Sequence, residues 1–82
     1  MIPRIKAIKP VEDFFLIVEF DDGTSVKYDV KTDMQEIPSY SVLNDLNLFK
    51  QVQLDTSRTC VFWNEEIDLA SDSIYEYGSK IS

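Results

Sequence analysis

The sequence predicts a small α+β domain in which short helices pack on a mostly antiparallel sheet. Short runs of alternating, β-branched and aromatic residues recur between turn signals, which is typical of antiparallel strands. Serine residues suited to helix capping follow two of these runs. The predicted element order is β-β-β-α-β-β-α. With 82 residues, 44% of them apolar, the chain is long enough for one core, and we expect residues 1–82 to form a single domain.

The N-terminal part of the chain predicts three strands. Residues 4–9 alternate loosely and end at Pro10, which favours an edge strand. Residues 14–20 form a β-branched and aromatic run, and the turn Asp21-Asp22-Gly23 separates it from the alternating residues 24–30. A three-residue loop with Gly23 at positive φ makes one face of this hairpin apolar, whereas a two-residue loop mismatches the faces. The pairs predicted by this register are Val18–Val26, Leu16–Tyr28 and Phe14–Val30.

The remainder of the chain predicts two helices and two strands. Ser39 or Ser41 is expected to cap a short helix with its apolar residues inward. Residues 51–54 and 59–63 alternate as strands on either side of a turn at 55–58. Ser73 and Glu76 form a capping-box pair in the last helix, which Gly78 is expected to end. The residues predicted to face inward from the first helix are Val42, Leu43 and Leu46, with Phe49 as a further anchor, and Ser71 is a second capping candidate for the last helix.

The composition excludes several functional classes. The absence of histidine removes imidazole metal sites, Ser-His-Asp and Cys-His catalysis and the usual general base at neutral pH. Cys60 lies in an apolar stretch and is expected to be a small core residue, and the two glycines are too far apart for a phosphate-binding loop. We therefore expect no catalytic residue, no metal site and no cofactor, and we interpret the protein as a non-enzyme.

The charge of the chain bears on its partners. Fifteen acidic and eight basic residues give a net charge of −7, and residues 32–82 carry nine of the acidic residues but only three of the basic ones. Such a surface repels phosphate, so we expect no direct binding of nucleic acid and favour a small protein partner with a basic surface. A candidate docking surface lies where no basic residue occurs between Asn64 and Gly78, although a solvated acidic surface and a core tryptophan are the default interpretation. Its members are Trp63, Glu65, Glu66, Asp68, Asp72 and Glu76.

Several short segments, taken in order from Pro3 to Gly78, resemble a small bacterial family of unknown role, the domain of unknown function 2442. The chain departs from that family at Ser57-Arg58, where similar proteins often have a glycine in the turn. The resemblance implies an α+β domain without an established reaction, and an antitoxin-like role beside another small protein. The segments that carry it are Phe20-Asp21-Asp22-Gly23, Asp29-Val30, Leu43-x-Asp45, Phe49, Val52, Asp55, Trp63, Asp68-Leu69 and Ile74-Tyr75-Glu76.

We interpret the chain as a non-enzymatic protein-interaction module, antitoxin-like by resemblance. The alternative is a regulatory domain that acts on nucleic acid or a small ligand through a dimer or a second subunit, which needs a basic face or a deep pocket that the sequence does not indicate. One cysteine, no signal peptide at the N-terminus and no long apolar run predict a cytoplasmic protein without a membrane segment. Lys6 and Lys9 protect the edge of the first strand only partly, so a homodimer is a further expectation.

Overall fold

The computed structural model describes residues 2–64 and 67–81. In these residues the strands form two antiparallel sheets, one in the order β1-β2-β3-β7 and one in the order β4-β5-β6. The strands are β1 (Ile5–Val11), β2 (Phe15–Phe20), β3 (Ser25–Asp29), β4 (Gln53–Leu54), β5 (Cys60–Asn64), β6 (Ile67–Ala70) and β7 (Ser79–Lys80). The α-helices are α1 (Val30–Glu36), α2 (Leu46–Phe49) and α3 (Ser71–Tyr77), and 3-10 helices cover Glu12–Phe14 and Pro38–Asn44.

The predicted fold class, an antiparallel α+β domain with short helices, is confirmed. The structure differs in having two sheets, an additional helix α1, and the strands β6 and β7. β6 is only four residues long, with Ile67 and Leu69 buried and the residues after each of them exposed. An alternating pattern this short cannot be distinguished from a loop in the sequence. No helix in the described ranges is long and apolar enough to cross a membrane.

The hairpin of β2 and β3 has the predicted register. Val18 pairs with Val26 and Leu16 pairs with Tyr28. The backbone N–H of Phe20 donates to the Thr24 carbonyl at 2.8 Å, and Gly23 has φ of 87°, so the loop contains three residues.

The predicted pairing of Phe14 with Val30 is wrong because the hairpin ends one residue earlier. Asp29 caps α1, with its Oδ1 accepting a hydrogen bond from the Lys31 backbone N–H at 2.9 Å, and Val30 therefore begins a helix. Phe14 lies in the 3-10 segment at φ of 60°, an uncommon conformation for a bulky residue. Its ring packs edge-on against Phe49 with 5.2 Å between the centroids.

The helix expected after Ser39 or Ser41 is a 3-10 helix that begins at Pro38 and has no side-chain cap. The following helix α2 is capped by Asp45 instead, whose Oδ1 accepts a hydrogen bond from the Asn47 N–H at 3.0 Å. A 3-10 helix has three residues per turn, so the buried residues are Tyr40 and Leu43. The prediction is confirmed for Leu43 and Phe49, which are buried, and is wrong for Val42 and Leu46, which are exposed.

One apolar cluster joins the two sheets, and Trp63 lies within it. The indole is 5% exposed, its Nε1 donates to the Phe49 carbonyl at 2.9 Å, and its ring stacks on the Phe49 ring. The Tyr40 hydroxyl donates to the backbone carbonyl of Asp68, which attaches the 3-10 helix to β6. Trp63 therefore stabilises the core, in agreement with the default interpretation of the sequence.

Gly78 ends α3 as predicted, but glycine is needed there because a side chain would not fit and not because of the backbone conformation. Its φ is −76°, which any residue adopts, and its N–H donates to the Ile74 carbonyl at 3.0 Å. A Cβ at this position would lie 2.1 Å from Cγ1 of the buried Val26 and 2.8 Å from the Ile74 carbonyl oxygen. The expected serine caps of α3 are wrong, because Ala70 occupies the N-cap position without a side-chain hydrogen bond.

The turn at residues 55–58 is present, and Arg58 in this turn contacts the four-stranded sheet. Arg58 adopts φ of 59°, the left-handed region that favours glycine. Its guanidinium lies 2.9 Å from the Asp21 carboxylate, and its carbonyl accepts a hydrogen bond from the Ile5 N–H at 2.8 Å. The backbone at Arg58 is thus strained, and an ion pair with Asp21 accompanies the strain.

Candidate functional site

The structure separates the residues of the predicted docking surface. Trp63 is in the core, and Glu65 and Glu66 lie outside the described residues. Asp68, Asp72 and Glu76 are exposed. Asp72 and Glu76 are one turn apart on α3, so they share its solvent face. Three exposed carboxylates of the predicted set are therefore available to a partner.

An acidic depression lies between α1 and the end of α3, and we call it the acidic groove. It has a volume of about 350 Å³, and the described residues that line it include three carboxylates and no basic residue. Four of its lining residues come from α1 and its N-cap, at positions 29, 32, 33 and 36. These spacings of three, one and three residues place them on one face of the helix. The lining residues are Tyr28, Asp29, Thr32, Asp33, Glu36 and Tyr77.

The groove contains a carboxylate that is held in position by a tyrosine. The Tyr28 hydroxyl donates to Asp33 Oδ2 at 2.6 Å. Burial of the phenol, and then its hydrogen bond to Asp33, raise the pKa of Tyr28 well above its usual range. Tyr28 is therefore a hydrogen-bond donor at neutral pH, and this bond orients the Asp33 side chain.

The chemistry of the groove suits a cationic side chain. Carboxylates bind ammonium and guanidinium groups through charge-assisted hydrogen bonds, and tyrosine rings attract the same cations through their faces. Tyr77 contributes such a ring and is 78% exposed. Within the described ranges, no group of three or more His, Cys, Asp or Glu side chains is arranged to hold a metal ion.

A second, shallower groove of about 230 Å³ lies on β5 and β6 and includes Asp68. Burial of the Cys60 thiol, and then the charges of Asp55 and Asp68, raise its pKa, so it stays protonated at neutral pH. Hydrogen bonds from the Ser57 side chain and backbone lower the pKa of Asp55. This groove is also acidic, and its lining residues are Asp55, Cys60, Phe62, Asn64 and Asp68.

The sequence patterns did not predict the acidic groove. The sequence patterns predict no helix between the strand at residues 24–30 and Ser39, although Asp29, Asp33 and Glu36 have the spacing of one helix face. Recognising Asp29 as a helix cap would have revealed this face. Tyr77 comes from α3, and only the tertiary fold brings it to the same groove.

Comparison with known proteins identifies a family without an assigned activity. The family model described as Protein of unknown function (DUF2442) matches residues 5–79. No curated protein and no solved structure matches the chain significantly. The matched range includes every residue that lines the acidic groove. The chain therefore belongs to the DUF2442 family of proteins of unknown function.

Proposed function

We propose that this chain is a non-enzymatic interaction module that binds a small protein partner by accepting a basic segment in the acidic groove. The net charge of −7 and a groove whose described lining residues include three carboxylates and no basic residue support a partner of opposite charge. The family resemblance implies an antitoxin-like role in bacteria, and the sequence favours the cytoplasm; together these are the cellular setting of this proposal.

One observation carries the proposal: the orientation of Asp33 by Tyr28 in the same groove as the exposed ring of Tyr77. A carboxylate that is already ordered loses less conformational freedom on binding, which favours affinity. Tyrosine is enriched among the residues that dominate interface energetics. Together they would bind a lysine or arginine side chain through both charge and ring contact.

The exposed carboxylates outside the groove would act at longer range. Asp72 and Glu76 lie on the solvent face of the helix that ends at Tyr77. Charges at the rim of an interface mainly accelerate encounter and add salt dependence. In this proposal they steer the partner, and Trp63 contributes only through the core.

The proposal is tested by purifying the tagged full chain from its native host at low salt and identifying what co-elutes by mass spectrometry. The wild type is compared with Glu36→Gln/Tyr77→Ala, which alters two exposed groove residues. The control is Glu19→Gln, which removes one charge at the far end of the β2–β3 hairpin. We expect a stoichiometric small protein with the wild type and the control, released by salt, and its loss with the groove variant.

Two results would count against the proposal. Co-elution that is equal for the wild type and the groove variant would place the partner elsewhere on the surface. Co-elution of nucleic acid, or of no macromolecule, would favour the regulatory alternative.

A further inference from the structure

The outer face of the four-stranded sheet carries more lysines than carboxylates, although the molecule has a net charge of −7. Its carboxylates are Glu19, which is paired with Lys6, and Asp29, which lies opposite Phe15. Leu16 and Val18 of β2 face the core, so the alternate residues Phe15 and Ile17 face outward. Ile17 pairs with Lys9 on one side and with Lys27 on the other, which makes a row across three strands. We call this surface the basic face, and it consists of Lys9, Phe15, Ile17, Lys27 and Lys31.

Two ammonium groups converge on one aromatic ring of this face. The Lys27 Nζ lies 4.5 Å and the Lys31 Nζ 5.2 Å from the centroid of Phe15. The ion pairs among the described residues are Lys6–Glu19 and Arg58–Asp21, so Lys9, Lys27 and Lys31 take part in neither. Like charges held close together repel, and an external anion would relieve that repulsion.

A small groove adjoins the basic face through Lys31. Its volume is about 190 Å³, and Phe14 and Met34 give it an apolar surface. Lys31 therefore lies between a site for an anion and a site for an apolar side chain. The lining residues are Phe14, Lys31, Met34, Gln35 and Asn44.

We infer that the basic face binds an acidic segment of a second protein, with carboxylates against Lys27 and Lys31 and an apolar side chain in the adjoining groove. This binding is separate from the proposed function, because the acidic groove would repel the same segment. The two surfaces therefore take partners of opposite charge.

A protein segment fits the basic face better than single-stranded nucleic acid does. Nucleic acid is bound by stacking bases on aromatic rings, but the Phe15 ring is already covered by two ammonium groups. A net charge of −7 also repels a continuous phosphate backbone more strongly than a short acidic segment. The apolar groove offers a contact that a phosphate backbone would not use.

The inference is tested by titrating the ¹⁵N-labelled full chain with a short synthetic peptide of alternating glutamate and leucine. We expect amide shift changes centred on Phe15, Lys27, Lys31 and Gln35. Lys27→Gln/Lys31→Gln should raise Kd about fivefold to tenfold, as expected for the loss of two exposed charge pairs. The matched control is Lys50→Gln/Lys80→Gln, which removes the same charge and includes an ammonium 4.6 Å above the Tyr75 ring. It should change Kd by less than about twofold.

The same spectra confirm that each variant is folded, so a loss of binding is separable from unfolding. Unchanged amides on the basic face, or an equal rise in Kd for both double variants, would overturn the inference. Shift changes at these amides with an oligothymidylate and none with the peptide would replace the protein segment by nucleic acid.

Discussion

Replacement of Gly78 by alanine tests how closely α3 packs on the first sheet. The added Cβ would lie 2.1 Å from Val26 Cγ1, 2.8 Å from the Ile74 carbonyl oxygen and 3.3 Å from the Lys27 carbonyl oxygen. Two of these neighbours are backbone atoms, and the third belongs to a fully buried β-branched side chain with little rotamer freedom. The chain must therefore shift to accommodate a single methyl group.

The magnitude follows from two opposing effects. Because Gly78 has φ of −76°, alanine is compatible with its backbone and would by itself stabilise the fold by about 0.4–1 kcal/mol. Overpacking a filled core typically costs about 1–3 kcal/mol, and the backbone contacts place this position at the upper end or beyond. We expect Gly78→Ala to lower the free energy of unfolding by about 2 kcal/mol.

Val26→Ala removes the atom responsible for the worst contact. Alone it should cost about 2 kcal/mol through lost burial, but combined with Gly78→Ala the loss should be at least about 1 kcal/mol smaller than the sum. The control is Gly23→Ala, where φ of 87° strains alanine although no atom lies within 4 Å. Its cost should simply add to that of Val26→Ala.

The assay is urea unfolding followed by the fluorescence of Trp63, which is the only tryptophan and is buried. A cost of Gly78→Ala below about 0.5 kcal/mol, or additivity with Val26→Ala within about 0.5 kcal/mol, would refute the proposed packing.

Two other variants test local electrostatics and strain. Because the folded-state pKa of Tyr28 is raised, the unfolded chain loses its proton first, and stability should fall as pH rises above about 10, by at most ~1.4 kcal/mol per pH unit for this group. Tyr28→Phe should flatten this slope in urea titrations between about pH 10 and 11, and an unchanged slope would contradict the assignment. Arg58→Gly releases left-handed strain but loses the Asp21 ion pair, so it should be at least as stable as the wild type and about 1 kcal/mol more stable than Arg58→Ala. Equal stability of the two Arg58 variants by thermal unfolding would show that the strain is negligible.

The features that the sequence predicted well depend on local chemistry. The β2–β3 register follows from alternation with a period of two and from a glycine that accepts positive φ. Leu43 and Phe49 were placed correctly, but the inward placement of Val42 assumed an α-helical period where a 3-10 helix occurs. Leu46 belongs to a separate helix, α2, and is exposed there. Whether a proline-led turn becomes an α-helix or a 3-10 helix depends on tertiary packing.

Both candidate surfaces were missed because they join distant parts of the chain. The basic face was in part accessible to prediction, since the register that pairs Val18 with Val26 also places Ile17 beside Lys27. The position of the Lys31 ammonium over the Phe15 ring depends on α1, a helix that the sequence did not predict. The acidic groove likewise needs α1 and α3 to meet. Surfaces of this kind can be recognised only when the positions of the helices relative to the sheets are known.

The salt dependence of partner binding tests the central proposal most directly. With the partner identified by capture, Kd is measured by titration calorimetry at about 0.05 M and about 0.2 M salt for the wild type, Glu36→Gln/Tyr77→Ala and Glu19→Gln. We expect Kd to rise severalfold with salt for the wild type and for Glu19→Gln. We also expect the groove variant to bind at least about tenfold more weakly than the wild type at low salt. A Kd that is insensitive to salt and equal for all three proteins would contradict it.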